Sequence, residues 1–217
     1  MKYKAVLYDM DGTVLDTLRD LTDAVNHSLA HFGLPSVTDA QVRASLGNGA
    51  AKLIEKCVPA GTGEELTARV LQYYKPYYDA HCSVKTAPYP GIIALMTRLK
   101  EAGVKQAVIS NKPNFAVREL AEEFFTGLLE FAVGESETVR RKPCPDAVNA
   151  AAEAMGLSKT ECVYIGDTEV DILTAQNAGM DCVAVAWGFR DEAELIAAGA
   201  KRIVYSAEEL YSAVSEE

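Results

Sequence analysis

Short apolar runs alternate with stretches of helical periodicity along most of the chain. The apolar runs are KAVLYD (4–9), QAVIS (106–110), FAVG (131–134), CVYIGD (162–167), CVAVAW (182–187) and RIVY (202–205). They are short and rich in β-branched residues, so each predicts a strand. Residues 91–103, 114–124, 145–156, 169–179 and 191–198 read as helices between them. Strands that form continuous apolar runs, separated by helices, predict a parallel sheet with helices on both faces. Gly103, Gly156 and Gly179 close three of those helices, where a left-handed residue is commonly needed.

The alternation breaks between residues 17 and 86. Thr17 and Asp20 form a T-x-x-D capping signature, and Leu18, Leu21, Val25, Leu29 and Phe32 then recur on one helical face. Further helical stretches are expected near 39–46, 48–58 and 63–80, and the turn-rich TAPYPG (86–91) leads back to the strand–helix pattern. The expected organisation is an α/β core of residues 1–16 and 87–217, interrupted by a small all-helical cap of residues 17–86. Tyr73, Tyr74, Tyr77 and Tyr78 lie at helical spacing and read as packing within that cap. His27 and His31, spaced i and i+4, lack a third ligand and read as surface residues of the first cap helix.

Polar clusters follow the predicted strands. DMDGT (9–13) ends the first strand, SNK (110–112) the second and GDTEVD (166–171) the fourth, while RKPCPD (141–146) follows the third. In open α/β sheets, ligands bind beyond the carboxyl ends of the strands, so these segments are expected to converge at one sheet edge. Asp9, Asp11, Asp167 and Asp171 bring negative charge there and Lys142 positive, whereas Lys112 is expected to be solvated. Crowded carboxylates repel unless a cation or hydrogen bonds hold them, and an oxygen-only set suits a hard ion such as Mg²⁺. Asp16 reads as a helix-entry or hinge residue.

Composition narrows the function classes. With 217 residues, 49% of them hydrophobic, the chain can bury one large core and a smaller appended one. No purely apolar run is long enough for a membrane span, and MKYK runs directly into the first strand, so we expect a soluble, cytoplasmic protein. A net charge of −10 disfavours broad binding to nucleic acid or to anionic membranes. The five cysteines are scattered and never form a C-x-x-C pair, which argues against a disulfide framework and a zinc site.

The ordered set D-x-D-G-T at 9–13, Ser110, Lys142-Pro143 and G-D-x-x-x-D at 166–171 resembles the four motifs of haloacid dehalogenase superfamily hydrolases. The resemblance covers nearly the whole chain. The helical insertion, LGNGAAKLI (46–54) and YPG (89–91) are most similar to phosphoglycolate phosphatases. It implies a Rossmann-like parallel-sheet core with a helical cap and a Mg²⁺-dependent phosphatase acting on a small phosphorylated metabolite. In those terms Asp9 is the nucleophile and Asp11 the general acid and base. Asp9, the Asp11 carbonyl and Asp167 bind the metal. Gly12, Thr13, Ser110, Asn111 and Lys142 contact phosphate, and Asp171 anchors Lys142 or a metal-bound water. Arg43, Gly47, Asn48, Gly49 and Lys52 are cap candidates for contacting the substrate, with 2-phosphoglycolate as the expected substrate. A sugar phosphomutase or a pyrophosphatase of the same fold, and a phospho-accepting receiver module, are the alternatives. Thr13 weakly favours hydrolysis, and a receiver needs no helical cap.

Overall fold

A computed structural model describes residues 1–216. Its elements in chain order are β1 (Ala5–Tyr8), β2 (Leu15–Asp16), α1 (Leu18–His31), α2 (Asp39–Ser45), α3 (Gly49–Cys57), α4 (Glu64–His81), β3 (Ala87–Pro88), α5 (Ile92–Glu101), β4 (Lys105–Pro113), α6 (Asn114–Phe125), β5 (Phe131–Glu135), α7 (Asp146–Ala154), β6 (Cys162–Gly166), α8 (Glu169–Ala178), β7 (Asp181–Val185), α9 (Glu192–Ala197), β8 (Ile203–Val204) and α10 (Ala207–Ser215). The chain divides into two compact units, residues 1–16 with 88–217 and residues 17–87.

In the first unit, the six predicted strands form one parallel sheet in the order β5-β4-β1-β6-β7-β8. Every residue of β1 is fully buried, as expected of a central strand covered on both faces. On one face, Ala5, Leu7, Ala107, Ile109 and Tyr164 pack with Val148, Ala151 and Ala152 of α7 and Ala175 and Ala178 of α8. On the other face Gln106 is buried, and its amide donates to the Met96 carbonyl of α5 at 2.8 Å while its oxygen accepts from Tyr8 Oη at 3.0 Å. A polar side chain in an apolar layer is tolerable because its groups are paired. Connections from β1 run first to β4 and later to β6 on its other side, so the carboxyl ends of these three strands border the point where strand order reverses.

The sequence pattern stops at Tyr205, yet α10 follows it. Ser206 caps this helix by accepting from Glu209 N–H at 3.2 Å, and Leu210, Ala213 and Val214 form its buried stripe. That S-x-x-E signature and the i, i+3, i+4 spacing are both legible in hindsight. Among the described residues, no helix is long and apolar enough to cross a membrane.

The second unit contains α1 to α4, with α1 packed against α4. Here the expected T-x-x-D cap does not form: Thr17 makes no side-chain cap bond. Asp20 is buried, and it accepts from Lys85 N–H (3.0 and 2.8 Å), Thr86 N–H (2.8 Å) and Thr86 Oγ1 (2.9 Å). A tertiary set of donors outcompetes the local one because a buried carboxylate needs several partners. Tyr74 and Tyr78 are buried and stacked, as a packing role predicts. Tyr73 and Tyr77 instead interleave with histidines: the ring centroids of His31 and Tyr73, His27 and Tyr77, and Tyr77 and His81 lie 3.9, 3.7 and 4.1 Å apart.

Asp20→Ala strips the Lys85–Thr86 segment of its acceptors and is expected to cost about 1–3 kcal/mol, the range for leaving buried donors unpaired. A urea midpoint equal to that of the unaltered protein would show that these bonds contribute no net stability.

Candidate active site at the carboxyl edge of the sheet

β1 runs out of ladder partners at Tyr8, and Asp9 N–H still donates to the Ile165 carbonyl at 2.8 Å, which fixes Asp9 at the sheet edge. One oxygen of Asp9, Oδ1, accepts from Met10 N–H (2.7 Å) and lies 2.9 Å from Lys142 Nζ. Residues 10–15 then turn tightly, with Gly12 N–H donating to the Leu15 carbonyl at 2.9 Å. Gly12 adopts φ +81°, and a Cβ there would fall 2.3 Å from Asp167 Oδ2, so no other residue fits.

Lys142 is the hub of the buried charges. Its ammonium reaches Asp9 Oδ1 (2.9 Å), Asp171 Oδ1 (2.8 Å) and Tyr164 Oη (3.0 Å), which uses its three donors. Burial works against its charge, but Asp171 and Asp9 outweigh burial and hold Lys142 well above the usual lysine range. Its backbone is fastened to Asn111: Lys142 N–H donates to Asn111 Oδ1 at 2.7 Å, and Asn111 Nδ2 donates to the Lys142 carbonyl at 3.0 Å. Ser110, buried within β4 just past Ile109, where the pairing with β5 becomes irregular, accepts from Lys112 N–H at 3.4 Å. Asp171 Oδ2 also accepts from Thr168 Oγ1 (2.8 Å), Thr168 N–H (3.1 Å) and Asp167 N–H (3.3 Å), so one carboxylate both caps α8 and anchors Lys142.

Asp167, fully buried, is held from two sides. Oδ1 accepts from Thr13 Oγ1 (2.9 Å), and Oδ2 from Phe189 N–H (2.7 Å). The sequence reading gives Thr13 to phosphate, whereas here its hydroxyl orients Asp167. The apolar run CVAVAW predicts a strand through Trp187, but β7 ends at Val185 and a loop follows, which contributes backbone and indole donors rather than a charged side chain. In it, Trp187 Nε1 donates to the Thr13 carbonyl at 3.0 Å, and a Cβ on Gly188 would sit 2.4 Å from Asp167 Oδ2. Its one legible signal is its position beyond a strand end.

Lys112 departs from expectation. It is only 5% exposed, and Nζ lies 3.0 Å from Asp11 Oδ1. The contact is one of charge: Asp11 Oδ1 accepts no hydrogen bond among the described residues. Burying a lysine is unfavourable without a counter-charge, and Asp11 supplies it. The cap candidates belong to the helical unit. Arg43 lies in the last turn of α2, Gly47 and Asn48 precede α3, Gly49 begins it, and Lys52 pairs with Glu55 at 2.7 Å.

The acidic cluster fits a hard divalent cation. Oxygens of Asp9, Asp167 and Asp171 lie within 4.8 Å of one another. One ammonium cannot balance three buried carboxylates, and the donor set is oxygen only. Asp171 Oδ1 is paired with the Lys142 ammonium and Oδ2 takes three donors at the start of α8, whereas each oxygen of Asp167 accepts a single neutral donor and keeps a lone pair for a metal beside Asp9; the Asp11 side chain faces Lys112 instead. Burial, opposed by Lys142 and reinforced by Asp171 and Asp11, pushes the Asp9 carboxyl up to about 7. Burial, together with the charges of Asp171 and Asp9, raises Asp167 well above the carboxylate range.

A family model described as haloacid dehalogenase-like hydrolase matches residues 6–185. A phosphoglycolate phosphatase of Pseudomonas aeruginosa is 34% identical over 193 residues, spanning 86% of this chain and 70% of its own. One from Xanthomonas campestris pv. campestris is 32% identical over 188 residues, spanning 86% and 85%. A crystal structure from Lactobacillus delbrueckii subsp. bulgaricus, provisionally described as a phosphoglycolate phosphatase, aligns over 100% of both chains with 41% identity and a TM-score of 0.96.

The raised carboxyls set a pH dependence. An unfolded aspartate titrates near ~3.9, so between that pH and about 7 the folded, metal-free protein binds more protons than the unfolded chain. The contribution of Asp9 is therefore most favourable below the unfolded value and is lost as pH rises through 7; Asp167 extends the loss upward. Metal-free protein is expected to melt at lower temperature at pH 8 than at pH 5. Added Mg²⁺ should raise the melting temperature more at pH 8, where protons no longer compete for the same oxygens. Equal Mg²⁺ increments at the two pH values would place the ion elsewhere.

Proposed function

The chain belongs to the haloacid dehalogenase-like hydrolases and is a phosphatase of that family, and from that premise we propose that it hydrolyses 2-phosphoglycolate through an aspartyl-phosphate on Asp9. The observation that carries the chemistry is the pair Asp9 and Asp11 at one strand end, each beside its own buried lysine, Lys142 and Lys112. The substrate comes from the relatives: those from P. aeruginosa and X. campestris bear the name phosphoglycolate phosphatase.

Two carboxylates in unlike settings can take unlike roles. Asp9, oriented by Met10 N–H and Lys142, attacks phosphorus; the bond from phosphorus to the leaving oxygen breaks as the aspartyl-phosphate bond forms. Asp11, in the role of general acid, delivers a proton to the leaving alkoxide. Asp11 then takes a proton from the water that attacks phosphorus, which releases inorganic phosphate and restores the Asp9 carboxylate. Lys142 offsets the negative charge gathered at Asp9 and the transferring group, and Ser110 with the backbone amides around Gly12 and Asn111 supplies donors for the phosphoryl oxygens. Asp9, Asp167 and the Asp11 carbonyl would hold a Mg²⁺ ion, which would supply the positive charge that keeps Asp9 ionised and offsets repulsion between the two anions. Asp167 is held for that task by Thr13 and Phe189 N–H.

Asp9→Asn is expected to fold yet release no phosphate, since an amide cannot serve as the attacking oxyanion; substantial turnover by the folded variant removes Asp9 from the role. Asp11→Asn is expected to lower kcat by about 10²–10⁴, the usual worth of a general acid and base. A panel of phosphorylated metabolites assayed for phosphate release should rank 2-phosphoglycolate first in kcat/KM. A clear win by pyrophosphate or a hexose phosphate overturns the substrate.

A further inference from the structure

We propose that Trp187 is a positioning residue for Mg²⁺ binding: its indole N–H fixes Thr13, and through Thr13 the carboxylate of Asp167, so that the loop after β7 sets the affinity for the ion. The inference deepens the reading that Asp9 and Asp167 hold Mg²⁺, and it rests on that reading.

Trp187 is only half-buried, and its ring meets that of Tyr89 at 6.3 Å between centroids, tilted by 51°, towards the outer end of the range for aromatic contacts. Its polar end makes the closer contact. Nε1 donates to the Thr13 carbonyl at 3.0 Å and so joins residues 174 positions apart. Thr13 has little freedom once its backbone is pinned. Its N–H donates to the Met10 carbonyl at 3.3 Å, its carbonyl accepts from the indole, and the next carbonyl, that of Val14, accepts from Tyr89 N–H at 3.2 Å. A β-branched side chain is stiff about its first torsion, so a fixed backbone aims the hydroxyl. That hydroxyl donates to Asp167 Oδ1 at 2.9 Å.

The same loop reaches the other oxygen. Two residues beyond Trp187, Phe189 N–H donates to Asp167 Oδ2 at 2.7 Å. Both oxygens of Asp167 are therefore oriented from residues 187–189, one directly and one by way of Thr13. The loop is itself held at each end: Ala186 N–H donates to the Val204 carbonyl of β8 at 2.9 Å, and Arg190 grips Glu169 of α8 through Nε to Oε2 at 2.8 Å and Nη2 to Oε1 at 3.1 Å. Between those ends the main chain lies so close to the site that a Cβ on Gly188 would fall 2.3 Å from Asp167 Cβ and 2.5 Å from the Gly12 carbonyl oxygen. A shift of the loop is thus passed to the Asp167 carboxylate or to the turn that carries the Asp11 carbonyl. Residues that orient metal ligands typically change metal affinity about 10- to 100-fold when altered.

Mg²⁺ binding is measured by isothermal titration calorimetry without substrate, which reads the site independently of turnover, on the unaltered protein, Trp187→Phe, Thr13→Val and the double variant. Trp187→Phe keeps an aromatic ring and removes the N–H. It is expected to raise Kd about 10-fold, the lower end of that range, with kcat at saturating Mg²⁺ changed less than the Mg²⁺ half-saturation. In Thr13→Val the hydroxyl is gone, so adding Trp187→Phe is expected to leave Kd where it is, a non-additivity that marks action through Thr13. Trp187 is the one tryptophan of the chain, and its replacement by 3-benzothienylalanine exchanges the N–H for sulfur in the same two-ring shape. That replacement carries the same comparison should the phenylalanine variant not fold. A folded variant with unchanged Kd overturns the inference and leaves the metal assignment standing, as does an effect of equal size with and without the Thr13 hydroxyl. Absence of Mg²⁺ binding by the unaltered protein, or binding that Asp167→Asn leaves intact, overturns the metal assignment itself, and the inference with it.

Discussion

Burial of the Lys142 ammonium is the constraint on which the sheet edge depends. Three carboxylates with little or no exposure stand together at that edge. Without an enclosed cation their mutual repulsion and loss of hydration would oppose folding. The lysine is placed with corresponding care. Asn111 clasps its backbone with two reciprocal bonds, Tyr164 and Asp171 fix its head, and the same Asp171 caps the helix that follows β6. Parts of β4, β6, α8 and the segment after β5 are thereby tied to one charge. A substitution at any of these partners acts on Asp9 through the lysine.

Asp167 is solved differently. Its carboxylate is gripped by a hydroxyl and a backbone amide, between two glycines that have no room for a side chain. Hydrogen-bond dipoles hold the group in place without cancelling its charge, which leaves that charge available to a cation. The contrast with Asp171, whose oxygens are saturated by an ammonium and a helix cap, explains why two adjacent aspartates of one motif take separate duties.

The strand pattern and the charged strand ends were readable because continuous apolar runs leave few alternatives and because charged residues at their ends have no packing role. Asp9, Lys142, Asp167 and Asp171 are legible on that basis and do converge in space. Lys112 was misread because nothing in its neighbourhood along the chain reveals a counter-charge; Asp11, its partner, lies one hundred and one residues away. Tyr164 carries a signal of a different kind, since a tyrosine in an otherwise aliphatic buried strand must find a partner for its hydroxyl. The Trp187–Phe189 loop acts through main-chain and indole N–H groups, which side-chain charge cannot disclose. At Thr17 and Asp20, the local capping rule lost to donors sixty-five residues distant.

The position of β1 in the chain also governs when the acidic cluster at its end can form. β1 is complete by Tyr8, but its neighbours in the sheet begin at Lys105 and Cys162. During synthesis at roughly 5–20 residues per second, β1 leaves the ribosome many seconds before either partner. Its backbone N–H and C=O groups are unpaired and its apolar side chains uncovered throughout that interval, while the intervening helical segment has all its own contacts at hand. The centre of the sheet therefore waits for residues more than one hundred and fifty positions downstream, and a strand that must stay unpaired for so long is the one that carries Asp9 at its end.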